Sequence, residues 1–252
     1  MAWPTANAIG GAMITGLDLS MCDVSYQHNN GPRFAFDVTF PAGQTSVIMG
    51  PSGSGKSTLL NLLGGFLKAD RGDIVIGGQN VTHLHPSERP VSMIFQDHNL
   101  FAHLDVARNV GLGVDPHLKL DEAGWHHVED ALISVGLRGY GQRMPSTLSG
   151  GERQRVALAR MLVRDRPVLL MDEAMASLGP GLRQTILALV KQLQCEKRLT
   201  VIMITHEPGD ARHIADSMAF LADGRILAQA PGTNLLDSPS DPQIAAYLGI
   251  AG

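Results

Sequence analysis

Gly50-Pro51-Ser52-Gly53-Ser54-Gly55-Lys56-Ser57 fits the pattern G-x-x-x-x-G-K-[ST]. Glycines at this spacing let successive backbone N–H groups turn inward as an anion nest. A helix that starts there aims its positive end at the same point. Lys56 can then reach the β- and γ-phosphates of a nucleoside triphosphate, and the Ser57 hydroxyl can ligate Mg²⁺. Gly50 to Ser57, with Thr58, are the candidate nucleotide contacts. Phosphate transfer to water needs carboxylates as well. Val168-Leu169-Leu170-Met171 runs straight into Asp172-Glu173. Asp172 is placed to hold Mg²⁺ through water and Glu173 to polarise the attacking water. A lone acidic pair often does no more than cap the next helix, but its partnership with a phosphate loop favours the catalytic reading.

A second phosphate-binding surface follows from Leu148-Ser149-Gly150-Gly151-Glu152-Arg153-Gln154-Arg155. Ser149 is a good N-cap, and the two glycines leave backbone N–H groups open at a helix start. One nucleotide has no use for both surfaces within a monomer unless two chains meet head to tail around it.

These residues need elements to hold them. Thr45–Met49 reads as a buried strand running into the Gly-rich turn, and Lys56–Leu67 as the helix after it. Val91–Phe95, Val168–Met171 and Thr200–Thr205 read as further buried strands, each followed at once by polar residues. Strand ends of that kind are where α/β sheets place ligands. Residues 17–40 and 72–81 suggest antiparallel strands beside the main sheet. Asp223-Gly224 between Ser217–Leu221 and Arg225–Gln229 is a hairpin signal. Residues 105–155 carry helical signals and few strands. The expected organisation is an α/β P-loop NTPase core with a mainly parallel sheet and an antiparallel β subdomain at 15–104 and 156–230. A helical subdomain at 105–155 would end in the second phosphate surface. Residues 1–14 form an extension with no assigned function, and 231–252 a tail of short helix.

In this order the motifs resemble the nucleotide-binding subunit of ABC transporters, over essentially residues 15–230. The phosphate loop, Gln96 after the Val91–Phe95 strand, the LSGG run at 148–151, the acid pair and His206 all stand in family order. The resemblance implies an ABC ATPase fold and two ATP-binding subunits facing each other, with Ser149, Gly150 and Gly151 closing on the partner's ATP. It implies that Gln96 senses Mg²⁺ and the γ-phosphate and connects the site to a membrane partner. Mg²⁺ would then be shared by Ser57, Gln96 and Asp172. His206 would contact the γ-phosphate, so that Glu173, His206, Lys56 and Gln96 form the catalytic set. Tyr26 stands where the family places an aromatic that stacks on adenine, although its position also suits a plain strand aromatic.

The run Arg89-Pro90-Val91-Ser92-Met93-Ile94-Phe95-Gln96-Asp97-His98-Asn99-Leu100-Phe101 looks like importer subunits. With His103-Leu104, Asn109-Val110-Gly111-Leu112-Gly113, Leu118-Lys119-Leu120 and the ending Tyr247-Leu248-Gly249-Ile250, it is similar to the ATP-binding subunit of bacterial thiamine importers. That resemblance implies a thiamine-transporting ATPase on the cytoplasmic face of the inner membrane. Its partners would be an integral-membrane permease and, indirectly, a periplasmic solute-binding protein. Leu100 and Phe101 are candidates for docking a permease helix or, equally, for core packing. Another solute remains an alternative, because the substrate would meet the permease and the binding protein rather than this chain. One departure stands out: the family usually reads Pro-x-Ser-Ala-Leu-Asp after the catalytic acid, and this chain reads Ala174-Met175-Ala176-Ser177-Leu178-Gly179. Gly179 lacks the carboxylate expected to couple two sites across a dimer, and Ala174 lacks the restriction on φ that proline imposes.

Composition narrows the remaining classes. The 24 acidic and 20 basic side chains give a net charge of −4, a balance that argues against an open nucleic-acid surface. A non-transport ABC ATPase acting on DNA or ribosomes would also carry long coiled-coil insertions or tandem cassettes. A small-molecule kinase would have no use for Ser149–Gly151, and exporters often fuse their membrane segments to the cassette. No apolar run approaches the roughly 18 residues of a spanning helix, so any membrane role is peripheral. Cys22 and Cys195 make no disulfide framework. The pairs His83/His85 and His126/His127 lack zinc-ligand partners, so they are assigned no metal.

Overall fold

The structure is a computed structural model that describes residues 15–29, 31–95, 100–176 and 178–250. Gln96 and the 1–14 extension lie outside the described residues. The chain enters through β1 (Leu19–Gln27) and β2 (Arg33–Phe40), then β3 (Thr45–Met49) and α1 (Lys56–Gly64). Next come β4 (Arg71–Ile76), β5 (Gln79–Asn80), β6 (Val91–Ile94), α2 (Val106–Gly111) and α3 (Glu122–Ser134). A 3₁₀ turn at Pro145–Thr147 leads to α4 (Gly150–Leu162), β7 (Val168–Asp172), α5 (Pro180–Lys197) and β8 (Thr200–Ile204). The chain finishes with α6 (Pro208–Ile214), β9 (Ser217–Ala222), β10 (Arg225–Pro231), α7 (Asn234–Asp237) and α8 (Pro242–Tyr247).

Two sheets result. β2-β1-β4-β5 is antiparallel. The order β10-β9-β3-β8-β7-β6 makes the larger sheet, parallel throughout except for the β9–β10 hairpin. Its central strands are buried on both faces, because successive side chains point to opposite sides and each side has its own cover. Val47, Met49, Leu169, Met171, Val201 and Met203 face one core, shared with residues of α2 to α8. Ile48, Val168, Leu170, Ile202 and Ile204 face the other, shared with α1 and the antiparallel sheet. In β2 exposed and buried residues alternate strictly, and Phe34, Phe36, Val38 and Phe40 supply its inward side.

Two boundaries differ from expectation. The first helix stops at Gly64 rather than Leu67, because Gly65 takes the left-handed conformation (φ 80°) and its N–H returns to the last turn. Arg89, 1% exposed, closes that end by donating to the carbonyls of Leu62 and Leu63 and, from its other nitrogens, to those of Leu84 and Thr82. Burial lowers its pKa to about 10, which leaves it charged at neutral pH. Secondly, α4 runs unbroken through residues 155 and 156, where the helical and catalytic parts were expected to divide.

Candidate active site

β3 delivers the chain to the phosphate loop at its carboxyl end. The Lys56 ammonium donates to the carbonyls of Gly50 (2.9 Å) and Pro51 (2.7 Å), which closes the loop around its own lysine. Burial lowers the Lys56 pKa, against the opposing pull of Glu173 and Asp172. Gly55 sits at φ 107°, and a Cβ there would meet the Phe34 ring at 2.5 Å. Only glycine combines that left-handed backbone with so close an approach. The Asp223-Gly224 turn supports the loop from outside, since the Gly224 N–H donates to the Ser54 carbonyl (3.2 Å).

The neighbouring strand β7 brings in the carboxylates. Ser57 Oγ donates to Asp172 Oδ1 at 3.0 Å, which ties the first turn of α1 to the end of β7. Burial chiefly, and then the adjacent Glu173 carboxylate, raise the Asp172 pKa; the Ser57 hydrogen bond opposes this. Glu173 has φ 46°, left-handed for a residue with a side chain. Such a backbone costs on the order of 1–3 kcal/mol. Glu173 falls just past the end of β7, where the strand's alternation no longer holds. His206 follows β8, and its Nε2 lies 2.5 Å from Glu173 Oε1. Lys56, Ser57, Asp172, Glu173 and His206 are thus joined at the carboxyl ends of three adjacent strands.

Tyr26 lies opposite Phe34 in the β1–β2 register, and Phe34 covers Gly55, so Tyr26 stands near the phosphate loop. Its hydroxyl lies 3.1 Å from His28 Nδ1. Ser149 caps α4 as expected. Its side chain accepts from the Glu152 N–H and its own N–H donates to the Glu152 carboxylate (2.7 Å), a capping box. The Ser149 amide, then the Ser149 and Tyr140 hydroxyls, hold the Glu152 pKa down to about 2. A Cβ on Gly151 would approach the Leu182 side chain of α5 at 2.5 Å, so a larger residue there would require Leu182 to shift. Gly150 is less crowded, with Leu178 at 3.6 Å.

The segment between β7 and α5 is anchored by Arg183, which donates to the Leu178 carbonyl (3.4 Å) and approaches Glu207 (3.4 Å) and Asp210 (3.9 Å). Asp210 accepts in turn from the Thr205 hydroxyl (2.9 Å), beside His206. Glu173, Met175, Arg183, His206 and Asp210 share the wall of a cavity of about 90 Å³.

Residues 35–176 match the family model described as ABC transporter. The thiamine import ATP-binding protein ThiQ of Brucella suis biovar 1 (strain 1330) is 50% identical over 237 residues, covering 94% of this chain and 98% of that protein. ThiQ of Rhizobium meliloti (strain 1021) is 50% identical over 238 residues, covering 94% and 99%. The chain belongs to the ABC transporter family. A dimeric ATP-binding cassette in a post-hydrolysis state bound to ADP and Pi superposes on it with a TM-score of 0.72 at 28% identity, covering 84% of this chain and 98% of that one. A cassette in its ADP conformation gives a TM-score of 0.81 at 24% identity, covering 92% and 98%; at that identity the likeness speaks for the fold.

In this ABC cassette the donor set fits Mg²⁺. Ser57 and Asp172 present one hydroxyl and one carboxylate side by side, which suits an ion that keeps its waters and shares substrate phosphate oxygens. Among the described residues no group of three or more His, Cys, Asp or Glu could hold a metal, as a shared phosphate–metal site requires none. Sequence reasoning missed Arg89, Arg183 and Asn109 as supports. Asn109, fully buried, bonds the backbone of Phe101 and Leu104. It leaves Phe101 48% exposed while Leu100 packs against the core. Tyr247 was missed as well; it reaches the site from α8.

Proposed function

We propose that this cassette is the ATP-hydrolysing motor subunit of an importer for thiamine. The observation that carries the motor reading is the convergence of Lys56, Ser57, Asp172, Glu173 and His206 at the ends of β3, β7 and β8. The substrate reading is supported by the identity to thiamine import ATP-binding proteins over nearly the whole chain.

In this reading the backbone of Gly50 to Thr58 binds the phosphates, and Lys56 turns from its own carbonyls to the β- and γ-phosphates. Tyr26 stacks on the adenine. Ser57, Asp172 and Gln96 hold Mg²⁺, which when bound neutralises charge developing on the phosphate oxygens. Glu173 accepts a proton from the attacking water, and His206, hydrogen-bonded to that carboxylate, positions it and contacts the γ-phosphate. Ser149, Gly150 and Gly151 complete the site of a second copy, so that ATP binding closes a homodimer and release of phosphate reopens it. The surface from Gln96 to Leu104, with Phe101 outermost, docks the permease. The permease receives thiamine from a periplasmic binding protein, and the cassette sits peripherally on the cytoplasmic face of the inner membrane.

Glu173→Gln tests the chemistry. Removing a positioned general base slows turnover by about 10²–10⁴-fold. MgATP binding should persist, and an ATP-dependent dimer should accumulate on size exclusion. Wild-type turnover in the variant would contradict the assignment.

A further inference from the structure

Helix α8 adds a side chain to the catalytic centre from the far end of the chain. Ile244, 1% exposed, anchors the helix in the core. The Tyr247 ring packs edge-on against Phe220 of β9, with centroids 5.1 Å apart and planes at 73°. That packing points the Tyr247 hydroxyl at His206, 3.5 Å from Nδ1. The opposite ring nitrogen, Nε2, is the one that meets Glu173 at 2.5 Å. A carboxylate can only accept there, so Nε2 carries a proton, and in a singly protonated imidazole Nδ1 then presents a lone pair. The Tyr247 hydroxyl is the donor that faces this lone pair.

We propose that Tyr247 is a positioning residue for hydrolysis, fixing the orientation and tautomer of His206 by donating a hydrogen bond to its Nδ1. Tyr247 thereby holds the face of the imidazole away from Glu173, much as second partners orient histidines elsewhere. Through His206, the residue two beyond β8, the Tyr247 hydroxyl is linked to the Glu173 carboxylate just past the end of β7. Burial, followed by the Glu173 and Glu207 carboxylates, raises the Tyr247 pKa and keeps the phenol a donor. At 3.5 Å the bond is long, as such bonds often are before substrate tightens a site.

The proposal rests on the catalytic reading of Glu173 and His206, and the experiment separates the two. In the subunit assembled with its permease, Tyr247→Phe keeps the ring against Phe220 and removes only the hydroxyl. Its kcat for ATP should fall by about three- to tenfold, the range of one lost hydrogen bond, with KM changed less than about twofold. In ¹⁵N spectra of His206, the Nδ1 resonance should move downfield towards that of a free pyridine-type nitrogen. Unchanged kcat and unchanged His206 resonances, with Glu173→Gln inactive, would overturn the role of Tyr247 and leave the catalytic reading intact. A loss of kcat accompanied by a raised KM and a lower Tm, with the His206 nitrogens unmoved, would also overturn it in favour of packing alone. Full activity of Glu173→Gln would remove the foundation of both.

Discussion

Ser57 and Asp172 meet at 3.0 Å although 115 positions separate them, and each has a second task at that contact. The hydroxyl offsets part of the cost of a half-buried carboxylate, and in the proposed mechanism the two oxygens are ligands to Mg²⁺. Ser57→Ala should therefore weaken Mg²⁺ by about tenfold or more, the scale on which such partners act. A Mg²⁺ titration of ATP hydrolysis measures this, and an unshifted midpoint would remove Ser57 from the ion. The phosphate loop was legible in sequence because its chemistry is local: glycine freedom, a lysine and a hydroxyl within a single turn. Glu173 was legible as a residue that turns into the site, and its left-handed backbone is how it does so. Tyr247 was not legible, since only the packing of α8 on β9 brings it beside a histidine 41 positions earlier.

At the scale of elements, the strands were read correctly because buried β-branched runs ending in polar residues have few other uses. Helix ends were less visible. The stop of α1 depends on Gly65 and on Arg89, which reaches back from more than twenty positions downstream to the carbonyls of Leu62 and Leu63. Replacing Arg89 with Ala strips several buried acceptors at once and should destabilise the protein by about 3 kcal/mol or more. Urea unfolding checks this; a loss within experimental error would mean that the α1 terminus needs no closure. Gly179 shows the opposite case. Its φ of −64° and ψ of 157° suit any residue, a Cβ would meet nothing within 4 Å, and α5 starts there without a side-chain cap. Gly179→Asp should therefore add an N-cap and stabilise α5 by a few tenths to about 1 kcal/mol, without strain. A lower unfolding midpoint would show that this loop needs its glycine. The carboxylate missing at Gly179 is thus not excluded by the fold, and the same variant reports whether it alters turnover.

Across the whole molecule, the larger sheet divides two cores, and Lys56, Ser57, Asp172, Glu173 and His206 gather at the carboxyl ends of its strands β3, β7 and β8. The signature at Ser149 to Gly151 lies against Leu178 and Leu182, beside the segment that follows Glu173. A dimer would thus bring the outward face of that segment and the signature to a second copy together, as befits a motor with paired sites. Sequence order alone pointed to this pairing, because two phosphate surfaces in one chain need a partner. Among the described residues no helix is long and apolar enough to cross a membrane. The solute leaves no mark on the site, whose chemistry is that of ATP. Its identity must be read from the assembled system. The most direct measurement is ATP hydrolysis by the cassette reconstituted with its permease and binding protein, with and without thiamine. Thiamine should stimulate the hydrolysis and Glu173→Gln should abolish it; vigorous hydrolysis indifferent to thiamine but stimulated by another solute would contradict the thiamine assignment.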